Sequence, residues 1–300
     1  MDATTPRGLR VRCPAKINLG LWVLGRRSDG YHEIDTVMQT IALEDELVLE
    51  PGPPGLSFSS RGRRIPGAGP NLVERAWSLL EESGRLPRDA GLVATLTKRI
   101  PVGAGLGGGS SDATGMLAGV ARFFDLAIPT GELEDLAASL GSDAPYFLRG
   151  GTARARGRGD RVGHLCPMRP RWVVLVTPPL EVSTTWAYGL LRNGLTDRGS
   201  GASILASAIE SDALEGVARV MRNVFEDVVL PRMPEIAALK RALESSGAKA
   251  AQMTGSGSTV FALASTREEA LDLAARASSC DAEIRVVRTL ERGVMIATRF

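Results

Sequence analysis

One stretch constrains this chain more than any other: Lys98-Arg99-Ile100-Pro101-Val102-Gly103-Ala104-Gly105-Leu106-Gly107-Gly108-Gly109-Ser110-Ser111-Asp112. Five of the seven residues from Gly103 to Gly109 are glycine, so almost no side chain separates this backbone from whatever approaches it. Beyond it, Ala113, Met116, Leu117, Val120 and Phe124 keep helical spacing. A glycine loop that opens a helix aims unpaired N–H groups and the positive end of the helix dipole at one place. Such a place attracts phosphate. The alternating run Leu92 to Lys98 reads as a strand delivered straight into this loop.

Two common nucleotide motifs compete for the loop. Gly103 to Gly108 spells G-x-G-x-x-G, and Asp125 stands near the place of a ribose-binding acid. In a dinucleotide fold that acid ends the next strand. Here Asp125 closes a helix and leads into another helical stretch, Thr130 to Leu140. The Walker pattern fails at its lysine, where Gly109 stands.

The chain has 300 residues, enough for two domains, with 44% apolar and 23% charged residues as in ordinary globular proteins. A formal net charge of +2 selects no partner by itself. Arg61, Arg63 and Arg64, and the arginines at 154, 156, 158 and 161, make basic patches. Glu44, Asp45, Glu46, Glu81 and Glu82 offset them, and no aromatic-studded strand accompanies them, so no nucleic-acid partner is expected. Cys13, Cys166 and Cys280 lie far apart without metal spacing and read as reduced thiols. Residues 1–7 lack the apolar core of a signal peptide, and no apolar run approaches the roughly 20 residues of a membrane span. A cytoplasmic protein with no membrane partner is expected.

In chain order, Leu9 to Cys13 alternates, Pro14 interrupts, and Ala15 to Leu24 alternates again. Ile17, Leu19, Leu21 and Val23 share one face of that second run, opposite Lys16, Asn18, Gly20 and Trp22. A turn-rich loop, Gly25 to His32, leads to strands at Ile34–Leu43 and Glu46–Glu50. The Pro51–Arg64 stretch reads as loop or hairpin tip. A helix follows at Asn71–Ser83, with Leu72, Ala76, Leu79 and Leu80 on one side. Gly150–Gly163 reads as strand and turn. After a strand at Trp172–Thr177, helices are expected at Ser183–Arg192, Ala202–Ile209, Ala213–Arg222 and Pro234–Ser246. A second glycine-rich turn, Thr254 to Thr259, precedes a strand at Val260–Leu263. The capping box Thr266-Arg267-Glu268-Glu269 opens a last helix, and strands at Glu283–Thr289 and Gly293–Thr298 close the chain. These β and α units with antiparallel return suit a ferredoxin-like arrangement.

What fits the loop is P-x-x-x-G-L-G-x-x-S-S, present as Pro101 to Ser111. With it the chain resembles the superfamily of galactokinase, homoserine kinase, mevalonate kinase and phosphomevalonate kinase. Pro14-Ala15-Lys16-Ile17-Asn18-Leu19, Arg27-Ser28-Asp29-Gly30-Tyr31-His32 and Gly141-Ser142-Asp143-Ala144-Pro145-Tyr146-Phe147 narrow the likeness. Together they resemble the branch that phosphorylates cytidyl-diphospho-methylerythritol in the non-mevalonate route to isoprenoids. The Asp29-Gly30-Tyr31-His32 loop carries the discrimination, because sister kinases lack it.

The resemblance implies a two-domain α+β small-molecule kinase. Residues 1–165 would form an N-terminal ATP-binding and catalytic domain, like one found in a ribosomal protein, and 166–300 a C-terminal ferredoxin-like domain. It implies ATP as donor, bound by residues 101–111, with Mg²⁺ and a hydroxyl ligand from Ser110 or Ser111. Asp143 matches the family's catalytic aspartate, which takes the proton of the attacking hydroxyl. Lys16 matches the catalytic lysine, which stabilises negative charge in transit. For the acceptor, Tyr31 offers a stacking face and His32 ring or backbone hydrogen bonds. Asn18 suits the diphosphate or sugar hydroxyls. Tyr188, with Trp186 as the alternative, would be the second aromatic wall. One departure stands out: the family's glycine-x-glycine-glutamate turn is Gly157-Arg158-Gly159-Asp160 here.

Overall fold

A computed structural model describes residues 8–67, 69–191, 201–211, 213–277 and 281–297. Residues 1–7, Arg192 at the expected end of one helix, Cys280, and Thr298 at the expected end of the last strand lie outside the described residues.

The chain begins with β1 (Leu9–Arg26) and β2 (His32–Gly62), then α1 (Leu72–Glu82) and β3 (Gly91–Lys98). The glycine loop leads into α2 (Gly108–Phe123), α3 (Thr130–Leu140) and the short α4 (Ala144–Arg149). β4 (Thr152–Gly157), β5 (Arg161–His164) and β6 (Trp172–Thr177) follow, then α5 (Thr184–Leu190), α6 (Gly201–Glu210) and α7 (Leu214–Val220). The two-residue β7 (Arg222–Asn223), α8 (Glu226–Val229), α9 (Pro234–Ser245), β8 (Ala251–Met253) and β9 (Val260–Ala264) come next. α10 (Arg267–Ala277), β10 (Glu283–Arg288) and β11 (Met295–Ala297) end the chain.

Two sheets share a core to which α6 and α7 also contribute, with α1, α2 and α3 on the other face of the larger sheet and α9 and α10 on that of the smaller. The larger runs β11-β1-β2-β4-β5, with β3 joined to β2 and β7 to β1. The smaller is antiparallel in the order β10-β6-β9-β8, the order of a β-α-β-β-α-β unit. Val173 and Leu175 of β6 enter the core between the sheets, and Val174 and Val176 enter the core under α9 and α10. Burial on both faces explains why that strand reads as an unbroken apolar run. The 165/166 division falls between β5 and β6, yet β7 and β11 both lie in the larger sheet beside β1.

β1 shows how local irregularity sets the site. Leu9, Val11 and Cys13 belong to the core beneath α1 and α2, whereas Ala15, Ile17 and Leu19 belong to the core between the sheets. The parity changes at a register shift between Pro14 and Ala15, where a proline's missing N–H breaks no regular ladder. Such a shift re-aims every side chain beyond it. Lys16 and Asn18 are thereby turned toward the glycine loop.

The 51–64 stretch differs from the expected loop. Pro51-Gly52-Pro53-Pro54-Gly55 is only a fold in β2, whose second arm pairs with β3 from Leu56 opposite Leu92 to Gly62 opposite Lys98. Leu56 and Phe58 pack on the core under α1, an alternation masked by the neighbouring prolines and arginines. The expected 213–222 helix stops at Val220, because Arg222 and Asn223 pair with Gly20 and Leu21 of β1. In α1 the buried face is Val73, Ala76, Trp77 and Leu80.

Candidate active site

The glycine loop is shaped by contacts that exclude a Cβ. Gly105 has φ +77°, and a Cβ there would lie 2.1 Å from the Thr254 carbonyl oxygen. Gly107, at φ +70°, is the N-cap of α2 and supplies no capping side chain. A Cβ on it would lie 2.9 Å from Phe147 Cζ and 3.0 Å from Lys16 Cγ. Ser111 N donates to Gly107 O at 3.0 Å, so the N–H groups just before it have no earlier turn of helix to satisfy them. They face a cleft of about 700 Å³, the arrangement that binds phosphate.

Lys16 lies under the loop, its backbone N–H donating to Leu106 O at 2.9 Å. Its Nζ donates to Asn18 Oδ1 at 2.6 Å and stands 3.4 Å from Asp143 Oδ2. Asp143 follows the end of α3 and directly precedes α4. The Asn18 amide is oriented from behind: Nδ2 donates to Thr36 Oγ1 at 2.8 Å, which donates to Gly20 O at 2.7 Å. Only one Asn18 orientation serves both neighbours, with its oxygen toward Lys16.

The second glycine-rich turn closes on the first. Asn18 N donates to Thr254 Oγ1 at 3.0 Å, and that hydroxyl reaches Gly105 O at 3.2 Å. A Cβ on Gly255 would lie 3.5 Å from Lys16 Nζ. Asn223 Nδ2 holds this turn by donating to Met253 O at 2.6 Å and Gly255 O at 2.7 Å. The sequence carries no local sign of that role, since Asn223 follows an amphipathic helical stretch and lies 30 residues from Met253.

A buried charge cluster braces the loop from below. Lys98 Nζ donates to Asp112 Oδ2 at 2.6 Å and also pairs with Asp45. Asp45 Oδ1 accepts from Ile100 N at 2.9 Å and from Arg99 N. The two ends of the loop are thus tied through one ammonium. Burial alone would lower the Lys98 pKa, but Asp112 and Asp45 outweigh it and raise the value. Burial pushes the Asp112 carboxyl well up, and Asp45 adds to this against the pull of Lys98. Asp112 Oδ1 and Ser111 Oγ are buried and find no partner in the protein. Sequence reasoning left Lys98, Asp45 and Asp112 without a role, because Asp45 is 53 residues from Lys98 and meets it only through the sheet.

At the other end, His32 stacks on Tyr188 with ring centroids 4.8 Å apart and planes 22° apart. Tyr188 in turn meets the Phe225 ring edge-on at 4.9 Å. Burial, followed by the nearby Arg26, lowers the His32 pKa and favours the neutral imidazole. Burial and then the Asp143 charge raise the Tyr188 pKa, so its hydroxyl keeps its proton. Tyr31 is 54% exposed, and its N–H donates to Asp29 Oδ1 at 3.1 Å. Lys16, Asn18, Asp143, Ser110, Tyr188 and the loop from Pro101 to Ser110 line one cleft, with Phe225 and Arg158 as lining residues that the sequence did not suggest. Ser111 is fully buried behind the loop, Trp186 and His32 lie off the cleft wall, His32 meeting it only through Tyr188, and Tyr31 stands at its rim under Arg158.

Two family models match the chain: GHMP kinases N terminal domain over residues 71–151 and GHMP kinases C terminal over 199–281. A 4-diphosphocytidyl-2-C-methyl-D-erythritol kinase from Pelotomaculum thermopropionicum is 43% identical over 92% of this chain and 96% of its own. One from Symbiobacterium thermophilum is 42% identical over 94% of this chain and 100% of its own. The chain belongs to the 4-diphosphocytidyl-2-C-methyl-D-erythritol kinase family. A crystal structure of a 4-(cytidine 5'-diphospho)-2C-methyl-D-erythritol kinase matches with TM-score 0.79 at 34% identity, covering 93% of this chain and 98% of that one. Homoserine kinase from Cytophaga hutchinsonii shares the fold, with TM-score 0.77 at 19% identity over 99% of both chains. The chain therefore has the two-domain α+β fold of the GHMP kinases, which use ATP as phosphate donor.

Proposed function

We propose that this kinase transfers the γ-phosphoryl group of ATP to a methylerythritol hydroxyl of 4-diphosphocytidyl-2-C-methyl-D-erythritol, giving the 2-phosphate and ADP. The observation that carries the reading is the Lys16–Asp143 pair, 3.4 Å apart, set beside the uncapped start of α2. Phosphoryl transfer asks mainly for positioning and charge stabilisation. The loop N–H groups take the ATP phosphates, and Lys16 stabilises the charge that develops on the group in transfer. Asp143 accepts the proton of the attacking hydroxyl. Asn18 holds Lys16 in place and offers its edge to the acceptor.

Magnesium accompanying ATP neutralises phosphate charge and is commonly bound through one or two protein oxygens, with phosphate and water completing its shell. Ser110 lines the cleft in the first turn of α2, and so does Asp112, whose Oδ1 is buried behind the wall without a partner. Both suit an oxygen-seeking cation, with Ser110 the ligand proposed. Tyr31, His32 and Tyr188 form the cytidine end, with Tyr31 giving an open ring face and the His32–Tyr188 stack a half-buried one.

A coupled ADP-release assay with the cytidyl-diphospho-methylerythritol, homoserine, mevalonate and galactose tests the reading. ADP release is expected with the first acceptor alone. Release with another acceptor and not with the first would overturn it.

A further inference from the structure

The proposed acceptor poses a charge problem. A cytidine diphosphate ester carries two negative phosphates between its base and its sugar alcohol. Of the buried cations in the cleft, Lys98 is taken by two carboxylates and Lys16 faces Asn18 and Asp143. Arg158 stands between the base end and Asp143. It lies in the turn joining β4 to β5, lines the cleft, and places its Cζ 5.0 Å from the centre of the Tyr31 ring. Its neighbour Gly159 comes so near the reacting end that a Cβ there would lie 3.7 Å from Asp143 Oδ1.

The turn is built to hold this side chain. Asp160 Oδ1 accepts from Arg158 N at 3.1 Å, and Asp160 Oδ2 takes Nε and Nη2 at 3.0 Å each. These three contacts to one carboxylate fix the course of the side chain along the turn. A guanidinium offers five donors in a rigid fork, more than one carboxylate uses, and that fork matches phosphate geometry. The same plane can lie over an aromatic ring while its edge donates hydrogen bonds.

We propose that Arg158 is an acceptor-binding residue that grips the diphosphate of the cytidyl substrate while its face rests on Tyr31. The proposal rests on the acceptor reading given above. Arg158 and Tyr31 then work as one unit, the ring taking the base and the guanidinium the phosphates. Asp160 is its positioning partner.

The test compares cytidine, CMP and CDP as inhibitors of the wild-type kinase, Arg158→Gln and Arg158→Lys, alongside KM for both substrates. In the wild type CDP is expected to inhibit roughly 10- to 100-fold more strongly than cytidine, the range of one or two charge-assisted bonds. Arg158→Gln should erase that preference and raise KM for the cytidyl substrate by a similar factor. Inhibition by cytidine and KM for ATP should stay within about threefold. Arg158→Lys, which keeps the charge without the fork, should retain part of the preference. The proposal fails if CDP keeps its advantage in Arg158→Gln or has none in the wild type. It also fails if cytidine weakens as much as CDP, or if KM for ATP moves instead. A failure of the acceptor reading is separate and visible in the wild type: no turnover of the cytidyl substrate and no inhibition by any of the three.

Discussion

At the donor end of the cleft the chain presents main chain, and at the acceptor end it presents side chains. The glycine loop comes closest to its neighbours at Gly105, and its shape is held by Lys16, Thr254 and the Lys98 cluster beneath it. The proposed cytidine end is an exposed tyrosine on a turn, a histidine–tyrosine stack and an arginine on a second turn. The proposed phosphate cradle is built from backbone, and at Gly105 it leaves no room for an added Cβ. Side chains on loops can be exchanged without disturbing the sheets, so this is where relatives with one fold can take different acceptors. Lys16 and Asp143 sit at the junction.

Substitutions should separate the two ends. The largest effect belongs to the junction: Asp143→Asn should lower turnover by about 10³-fold, near 4 kcal/mol, with KM for ATP almost unchanged in steady-state kinetics. Next, Lys98→Met strands Asp45 and Asp112 in the interior. Urea unfolding without nucleotide should show a loss of about 3–5 kcal/mol. Gly105→Ala forces a Cβ into the Thr254 carbonyl and a side chain into φ +77°. A loss of about 1–3 kcal/mol is expected, with KM for ATP raised more than KM for the acceptor. Tyr31→Ala should do the reverse, raising KM for the cytidyl substrate about 10-fold and leaving ATP alone. Equal weakening of both substrates would dissolve the distinction between the ends.

The smallest effect is a pH dependence. His32 has a pKa below its usual 6.5 in the folded chain, so the unfolded chain binds the proton more readily. Its contribution to stability is fully present above pH 6.5 and is lost as pH falls through the folded value. Urea midpoints at pH 7.5 and 5.5 should therefore differ more for the wild type than for His32→Gln.

The sequence named candidates at both ends of the cleft, through the glycine loop and the family motifs, but not the contacts that hold them, for a physical reason. Glycine spacing and the helix start are local signals and led to the loop, whereas Lys16 and Asp143 became candidates through the family resemblance. The Asp45–Lys98–Asp112 cluster and the Asn223 clamp depend on residues brought together by sheet pairing, and no window of sequence contains them. Arg158 read as one of four arginines in a basic strand and turn until the β4–β5 turn placed it over Tyr31. In β1 the alternation was plain, but the switch of faces at Pro14 was not. That switch decides that Lys16 meets the loop rather than the core between the sheets. The second arm of β2 was hidden by its Pro-Gly fold.

A crystal structure with a non-hydrolysable ATP analogue and the cytidyl substrate tests the central claim most directly. The account predicts the 2-hydroxyl about 2.6–3.2 Å from the Asp143 carboxylate, in line with the γ-phosphate, with the cytosine against Tyr31. A cytosine bound away from Tyr31, or an acceptor hydroxyl out of reach of Asp143, would contradict it.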